Sequence, residues 1–377
     1  MKRRDRLMAT LRGETVDRPP VCFYELNGLD EDSDNPSPFN IYSDPSWRPL
    51  IELTKEKTDR IVMRGVRFKN TVPNPIDKLT KIETYVKDGY SYTVRTIQAG
   101  NRTLTSRTRR DPNVNTVWQD EHFLKGIDDL KAYLDIPSQR FSGEPDIDGV
   151  LDAENKIGDT GIVMIDTEDP LCMAAELFDM GEFTIIAMTE PALFHQLLEK
   201  LAVFLYSKTE VIAKALPGRL WRIYGPEYAS PPYLPPRLFR EYVVQYDTPM
   251  VKFIQQNGGF ARLHSHGNLK DILDDIVSTG CMGLDPIEPP LQGDVELDYV
   301  RKKYGNHLVL FGNLEMSDIA NLPTNEFEKK VLAALREGTA GQGRGFVLMP
   351  SACPYGRKLS LKTLKNYEKM VELAEKW

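Results

Sequence analysis

The feature that most constrains this sequence is a regular alternation of short apolar runs and helix-length amphipathic segments after Gly161. The apolar runs cover residues 162–165, 220–224, 260–264, 282–285, 308–311 and 346–349. Between them, apolar residues recur at helical spacing over residues 191–213, 237–256, 269–279, 295–304 and 325–337. Strands that alternate with helices in this way predict a parallel sheet covered by helices, an α/β fold.

Two further apolar runs near the N-terminus, 21–24 and 61–63, bring the number of predicted strands to eight. Eight strands favour a closed (β/α)8 TIM barrel over an open doubly wound sheet, and no glycine-rich phosphate loop follows the first run. A last helix over 360–376 would complete the outer ring. We therefore predict that residues 1–377 form a single barrel domain.

The region between the second and third predicted strands has a different pattern. From about residue 81 to residue 108 the residues alternate, with turn signals at 87–89 and 99–101. This pattern is typical of antiparallel hairpins. Together with helical stretches around 123–134 and 147–156, it predicts an N-terminal helical and β-hairpin insertion at about 66–158 that forms a flap and not a barrel wall.

Composition excludes several classes of protein. A hydrophobic fraction of 41% and a charged fraction of 27% are ordinary for a globular chain. The formal net charge of −7 offers no long-range attraction for nucleic acid or an anionic membrane. No apolar run follows the basic start MKRRDRLMATLRGE, so we expect no secretory signal and a cytoplasmic location. The four cysteines lie far apart, which predicts reduced thiols.

The stretch FARLHSHGN, residues 260–268, carries the strongest chemical signal. Side chains alternate along a strand, so His264 and His266 point the same way and can share a metal ion. Gly267 permits a sharp turn, and Asn268 is predicted to cap a helix that begins at Leu269. The alternative is a pair of histidines that only form hydrogen bonds at the end of a strand.

Other polar residues follow the predicted strands at the same end of the barrel, where functional sites of this fold lie. They are Asp166, Glu168, Glu227, Asp285, Glu288, Asn313 and Cys353. We predict a zinc site formed by His264, His266 and Cys353, with Glu227 as an optional fourth ligand. Because the last strand lies across the mouth from the histidines, the loop of Cys353 must lean inward.

Three tyrosines lie near predicted strand ends, namely Tyr24, Tyr228 and Tyr233. They are candidates for an aromatic substrate pocket. Tyrosines in such positions also serve as core packing, with the hydroxyl group hydrogen-bonded.

Several segments together resemble one known family. The segments are RLMATLRGETVDRPPV, YGPEYASPPYLPPRLFREYV, HSHGN, GLDPIEPPLQGDV, LFGNLE and PSACPYG. They resemble the uroporphyrinogen decarboxylase-like superfamily and, more narrowly, its corrinoid-dependent methyltransferase branch, which implies a (β/α)8 barrel. In that branch zinc is held by a His-x-Cys pair and a later Cys, which correspond here to His264, His266 and Cys353.

This chain departs from the family pattern at two places. His266 stands where the branch has a thiolate, and a neutral imidazole leaves zinc more electrophilic and less suited to a further thiolate. This favours a donor that carries the methyl group on oxygen. The arginine-rich segment of true uroporphyrinogen decarboxylases corresponds here to the acidic ELNGLDEDSDNPSPFN, which disfavours a four-pyrrole polycarboxylate substrate.

The resemblance therefore implies a zinc-dependent methyltransferase that moves a methyl group from a methoxylated donor, such as an aryl methyl ether, to the cobalt of a separate corrinoid protein. The cofactors would be Zn2+ and a cobalamin carried by that partner. Glu288 or Asp166 would orient donor or metal, and Asn313 would donate a hydrogen bond. Three alternatives stay open: methyl transfer from methylcobalamin to a thiol or folate, a decarboxylase-like lyase, and a non-catalytic barrel that binds a small ligand.

Overall fold

The computed structural model describes residues 1–377. It contains thirteen strands. They are β1 (Arg60–Arg64), β2 (Arg67–Lys69), β3 (Thr80–Lys87), β4 (Tyr90–Ala99), β5 (Arg102–Arg110), β6 (Val117–Glu121), β7 (Glu144–Asp146), β8 (Gly161–Glu168), β9 (Leu220–Tyr224), β10 (Phe260–Ser265), β11 (Gly283–Pro286), β12 (Val309–Leu314) and β13 (Phe346–Pro350).

Fifteen α-helices accompany the strands. They are α1 (Arg3–Arg12), α2 (Arg48–Lys57), α3 (Pro75–Leu79), α4 (Ile127–Asp135), α5 (Asp148–Ile157), α6 (Pro170–Ala175), α7 (Met180–Thr189), α8 (Pro191–Ala215), α9 (Pro236–Phe239), α10 (Gln245–Gln256), α11 (Leu273–Ser278), α12 (Leu297–Tyr304), α13 (Met316–Asn321), α14 (Thr324–Gly338) and α15 (Leu361–Lys376). A π-helical turn, Arg240–Val244, joins α9 to α10.

Seven strands form one parallel sheet in the order β1-β8-β9-β10-β11-β12-β13. The eighth position is filled by an irregular segment. The N–H of Leu348 on β13 donates to the carbonyl of Pro20 (2.9 Å), and on the other side the N–H of Asp59, just before β1, donates to the carbonyl of Val21 (2.7 Å). The sheet is thereby closed, and the predicted barrel is confirmed.

The prediction of a regular first strand over 21–24 was wrong, because only isolated bridges form there. Pro19 and Pro20 have no N–H to donate to a ladder. Tyr24 then takes a φ of 54°, which leaves the extended conformation. The other seven predicted strands are present within a few residues of their expected bounds.

The barrel interior and the helical shell form separate apolar clusters. The interior cluster has 12 buried residues, among them Ile162, Leu220, Val309 and Val347, and the outer cluster has 77. Leu7 of α1 belongs to the interior cluster, so α1 closes the bottom of the barrel. The opposite end, where the strands have their carboxyl ends, is the mouth that holds the candidate site.

The predicted insertion is confirmed as two small antiparallel sheets outside the barrel. Strands β3 to β6 form one of them in sequence order, and β2 pairs with β7 in the other. We call residues 80–121, the larger sheet, the flap. Its end is tied to the mouth loops, because Asn113 and Asn115 donate backbone hydrogen bonds to the carbonyls of Pro38 and Tyr355 (2.8 Å each).

The helix after the histidine segment differs from the prediction. It begins at Leu273 and not at Leu269. The N–H groups of Leu269 and Lys270 are bound by Oδ1 of Asp294 (2.7 and 3.0 Å), so Asn268 is not the cap. A carboxylate from a distant loop has replaced the local cap. No helix in the structure is long and apolar enough to span a bilayer.

Candidate functional site

The two histidines of HSHGN lie together at the carboxyl end of β10. Their rings are 4.7 Å apart between centroids and nearly perpendicular, at 89°. His264 is buried, with 5% of its surface exposed, whereas His266 is only partly buried. The prediction that both side chains face the same way is confirmed.

Each histidine is held by a carboxylate from the end of β11 or the loop after it. Nδ1 of His264 lies 2.8 Å from Oδ2 of Asp285, and Nδ1 of His266 lies 2.8 Å from Oε1 of Glu288. The second oxygen of Glu288 accepts the N–H of Gly267 (2.8 Å). Nε2 of His266 is thus left as a ring nitrogen for a ligand, whereas a ligand on Nε2 of His264 would displace the hydroxyl of Tyr24, which lies 3.4 Å away. Metal-binding histidines almost always have such a carboxylate or carbonyl partner on the other nitrogen.

The charges of this cluster support one another. Burial opposes ionisation of Asp285, but the charges of Arg262 and His264 outweigh it and lower its pKa to about 2. Burial also lowers the pKa of His266, yet the hydrogen bond and charge of Glu288 raise it by more, so its pKa lies above the ordinary value. The pKa of Glu288 is lowered in turn, chiefly by His266 acting against the effect of burial.

A second network reaches His264 from the side of β10 that faces β9, away from Asp285. Arg222 of β9 donates Nε and Nη2 to the two oxygens of Asp166 on β8 (2.7 and 3.0 Å) and Nη1 to the hydroxyl of Tyr24 (2.7 Å). That hydroxyl lies 3.4 Å from Nε2 of His264. Burial raises the pKa of Tyr24, so the hydroxyl stays protonated. Asp166 therefore orients Arg222 and, through it, Tyr24.

Cys353 lies in the same mouth but is not grouped with the histidines. Its Sγ donates to the carbonyl of Phe23 (3.5 Å), and burial raises the pKa of the thiol. No three His, Cys, Asp or Glu side chains of the chain are close enough to hold a metal ion. The histidine pair fits zinc by its donor chemistry and its orientation. Cys353 would have to lose its proton and leave the Phe23 carbonyl to become the third ligand.

Two other candidates, Glu227 and Asn313, form no hydrogen bond with the histidines. Glu227 accepts the N–H of Gly225 with Oε2 (3.1 Å), and its charge is among those that raise the pKa of His266. Asn313 is partly buried on β12.

The remaining two predicted tyrosines differ from Tyr24. Tyr228 is partly buried and packs edge-on against Phe183, with ring centroids 6.1 Å apart. Tyr233 is 53% exposed. Tyr24 is thus the tyrosine of the predicted set that the structure brings to the histidines.

Sequence reasoning missed Glu315, which follows β12 at the mouth. Oε2 of Glu315 accepts a hydrogen bond from Ser351 (3.2 Å), while Oε1 is buried without a partner. Burial and the nearby charge of Glu288 raise the pKa of Glu315 to about 7. Glu315 could have been identified from its position directly after the apolar run LVLFGNL, but Asn313 was chosen at this strand end. Arg222 was also missed, because it sits inside the apolar run LWRIY.

Comparison with known proteins adds the family. The family model described as uroporphyrinogen decarboxylase (URO-D) matches residues 155–377, more than half of the chain. The chain belongs to the uroporphyrinogen decarboxylase family. The family resemblance predicted from the sequence is therefore confirmed, and the matched residues include both histidines, Glu315 and Cys353.

Among solved structures, this member of the family is similar to a methyltransferase from Methanosarcina mazei. The TM-score is 0.59 at 17% sequence identity, and the match covers 99% of each chain. At this identity the match shows a shared fold over the whole chain. A D-psicose 3-epimerase studied in the presence of D-fructose matches with a TM-score of 0.32 and 11% identity, over 60% of this chain and 80% of that one, and carries no argument. No curated protein matches by sequence.

Proposed function

We propose that this protein is a methyltransferase that takes a methyl group from a methoxylated donor, such as an aryl methyl ether, and passes it to the cobalt of a separate corrinoid protein. The observation that carries the proposal is the pair of histidines at the mouth, each fixed through Nδ1 by its own carboxylate. The fold shared with a methyltransferase over the whole chain supports it.

His264 and His266 would hold zinc through their Nε2 atoms, with Cys353 as the third ligand. Zinc in such a site supplies Lewis acidity toward the oxygen of the methoxy group, which is otherwise a poor leaving group. Two nitrogens and one sulfur leave a coordination position for that oxygen. Asp285 and Glu288 keep the imidazoles in the tautomer and orientation that ligation requires.

Other residues of the mouth would handle the proton and the donor. When the C–O bond breaks, its electron pair stays on the donor oxygen, which then needs a proton. Glu315 holds a proton near neutral pH because its pKa is raised to about 7, a value suited to a general acid. Tyr24, kept neutral by burial and held by Arg222, can donate a hydrogen bond beside His264.

The test has two stages. Elemental analysis of the full chain should find close to one zinc per chain, with less in His266→Ala and in Cys353→Ser than in the exposed control Tyr233→Phe. Methoxylated aromatic donors are then mixed with zinc-loaded protein and reduced cobalamin, and methylcobalamin is followed by its absorbance. Loss of that signal in His266→Ala but not in Tyr233→Phe is expected. A chain that takes up no zinc on reconstitution would overturn the proposal.

A further inference from the structure

The flap contains one arginine that differs from the others. Four of its five arginines have a partner within the structure: Arg102 with Asp129 (2.8 Å), Arg107 with Asp120 (3.5 Å), Arg109 with Asp111 (2.7 Å), and Arg110 with the carbonyl of Phe39 (2.7 Å). Arg95 of β4 is partly buried, and its side chain makes neither a hydrogen bond nor an ion pair. A guanidinium group in this setting is available to a ligand.

Arg95 lines a cavity of about 350 Å³ between the flap and the barrel mouth. Ser106, which faces Arg95 across the β4–β5 ladder, lines the same cavity from the flap. Tyr224 and Glu168, the last residues of β9 and β8, line it from the barrel. A volume of this size is within the range of small-molecule sites.

The cavity borders the histidine site. Tyr224 is paired in register with His264 on one side and with Glu168 on the other. Neighbouring strands are about 4.8 Å apart, so the cavity begins one strand away from His264. A ligand that contacts both Arg95 and Tyr224 therefore extends from the flap to the strand beside the one that carries His264.

The walls indicate what kind of ligand would fit. Phe123, Tyr133 and Met173 supply aromatic and apolar surface, which suits a flat ring. The two acidic wall residues do not neutralise Arg95. Glu168 is paired with Lys208 (3.1 Å), and Oε1 of Glu176 accepts a hydrogen bond from the thiol of Cys172 (3.9 Å).

Arg95 is therefore a cation of the cavity wall that has no ion-pair partner. Guanidinium groups bind carboxylates with two parallel hydrogen bonds, a geometry that an ammonium group does not offer. We propose that this cavity binds an aromatic carboxylate that carries a methoxy group, with its carboxylate on Arg95 and its methoxy group directed to His264 and His266. The methoxy group of this ligand rests on the proposed function. The binding of a carboxylate at Arg95 does not depend on it.

Calorimetry on the full chain with two matched probes tests the assignment. The probes are 4-methoxybenzoate and the uncharged 4-methoxybenzamide. The wild type should bind the benzoate about tenfold more tightly than the amide, because only the benzoate forms a charge-assisted pair. Arg95→Gln should abolish the preference, because the affinity for the benzoate should fall more than the affinity for the amide. Arg102→Gln, which removes a paired arginine at the other end of the flap, should keep the preference.

A charge-reversal variant shows whether a lost preference comes from the missing charge or from misfolding. Arg95→Glu should prefer 4-methoxybenzylamine over 4-methoxybenzoate, with a melting temperature and far-UV circular dichroism like those of the wild type. Equal binding of benzoate and amide by the wild type would overturn the inference, as would a preference that survives in Arg95→Gln.

The two proposals fail separately. If 4-methoxybenzamide donates its methyl group but the benzoate is not preferred, the methyltransferase stands and the carboxylate site is overturned. If the benzoate binds through Arg95 and no methoxylated donor reacts, the carboxylate site stands and the methyltransferase is overturned.

Discussion

Two groups of fully buried carboxyls in this barrel have the same burial and opposite protonation. Asp285, beside the histidines, has an ion-pair partner in Arg262 and a hydrogen bond to His264, and its pKa is lowered to about 2. Asp169 and Asp247 have no cation near them, and burial raises both pKa values well above the ordinary value; repulsion from Asp247 adds to the effect on Asp169, and repulsion from Glu227 adds to the effect on Asp247. All three are 0% exposed.

The difference teaches that burial alone does not decide the charge of these groups. Where a cation is built in, the carboxylate stays ionised and can fix a histidine. Oδ1 of Asp285 also lacks a hydrogen bond, but Arg262 lies 2.9 Å from it. Asp247 and Asp169 have no such cation, and a bound proton replaces it. Substitutions in the two groups of carboxyls should therefore change the stability of the protein in opposite directions.

The largest effect is expected from Asp285→Asn. The substitution leaves the buried Arg262 without its counter-charge, so the free energy of unfolding should fall by about 3–5 kcal/mol in urea titrations at pH 7. The surface carboxylate of Asp298, paired with Lys302, is the matched control, and Asp298→Asn should cost about 0.5 kcal/mol or less.

The same variant has a predicted pH dependence. The pKa of Asp285 is lowered on folding, so its stabilisation is present above about pH 4 and is lost as the pH falls toward 2. The difference in stability between wild type and Asp285→Asn should therefore shrink in that interval. A constant difference from pH 7 to pH 2 would contradict the ion-pair explanation.

A smaller effect is expected from Glu288→Gln, which keeps the shape of the side chain but removes its charge. Zinc affinity measured by competition with a chelator should fall about tenfold or more, since the ligand histidine loses its carboxylate partner. In the zinc-free protein, the pKa of His266 measured by NMR titration should fall, because Glu288 raises it. An unchanged His266 pKa would show that this pair is not formed in solution.

Asp247→Asn should act in the opposite direction to Asp285→Asn. Because the pKa of Asp247 is raised on folding, the wild type loses stability as the pH rises and the carboxyl is forced to ionise in the interior. The variant removes that loss and should be more stable than the wild type at pH 8 by on the order of 1 kcal/mol. Thermal unfolding from pH 5 to pH 9 measures it, and a variant that is less stable at pH 8 would indicate an undetected cation.

Glu315→Gln should show the smallest stability change and a clear change in the pH–rate profile. The raised pKa means that Glu315 favours the folded state below about pH 4.5 and that this contribution is lost as the pH rises through about 7. If Glu315 is the acid of the proposed reaction, the variant should lose the part of the kcat profile that falls above pH 7. An identical profile in wild type and variant would exclude that role.

The sequence was sufficient to predict the barrel because alternating apolar runs and amphipathic helices encode burial directly. The histidine pair could also be predicted, because residues two positions apart on a strand have their side chains on the same side. Arg222 could not be found in this way. A charged residue inside LWRIY faces the interior only because Asp166 and Tyr24, far away in sequence, meet it there.

The position of Cys353 illustrates the second limit. The sequence indicates a thiol after the last strand, but whether that thiol turns to the histidines or to the Phe23 carbonyl depends on how two loops pack. The same holds for the irregular first strand, whose shape follows from the backbone of Tyr24. Such orientations depend on contacts between segments and not on the pattern within either one.

The closure of the barrel through Pro20 and Val21 has a consequence for how the chain is made. This segment must pair with β13, which is synthesised after all the other strands of the barrel. Until then the segment of Pro20 and Val21 and the strand β12 each expose an unpaired edge, a state prone to pairing with other chains. A nascent chain that stalls before residue 346 would therefore be a target for chaperones.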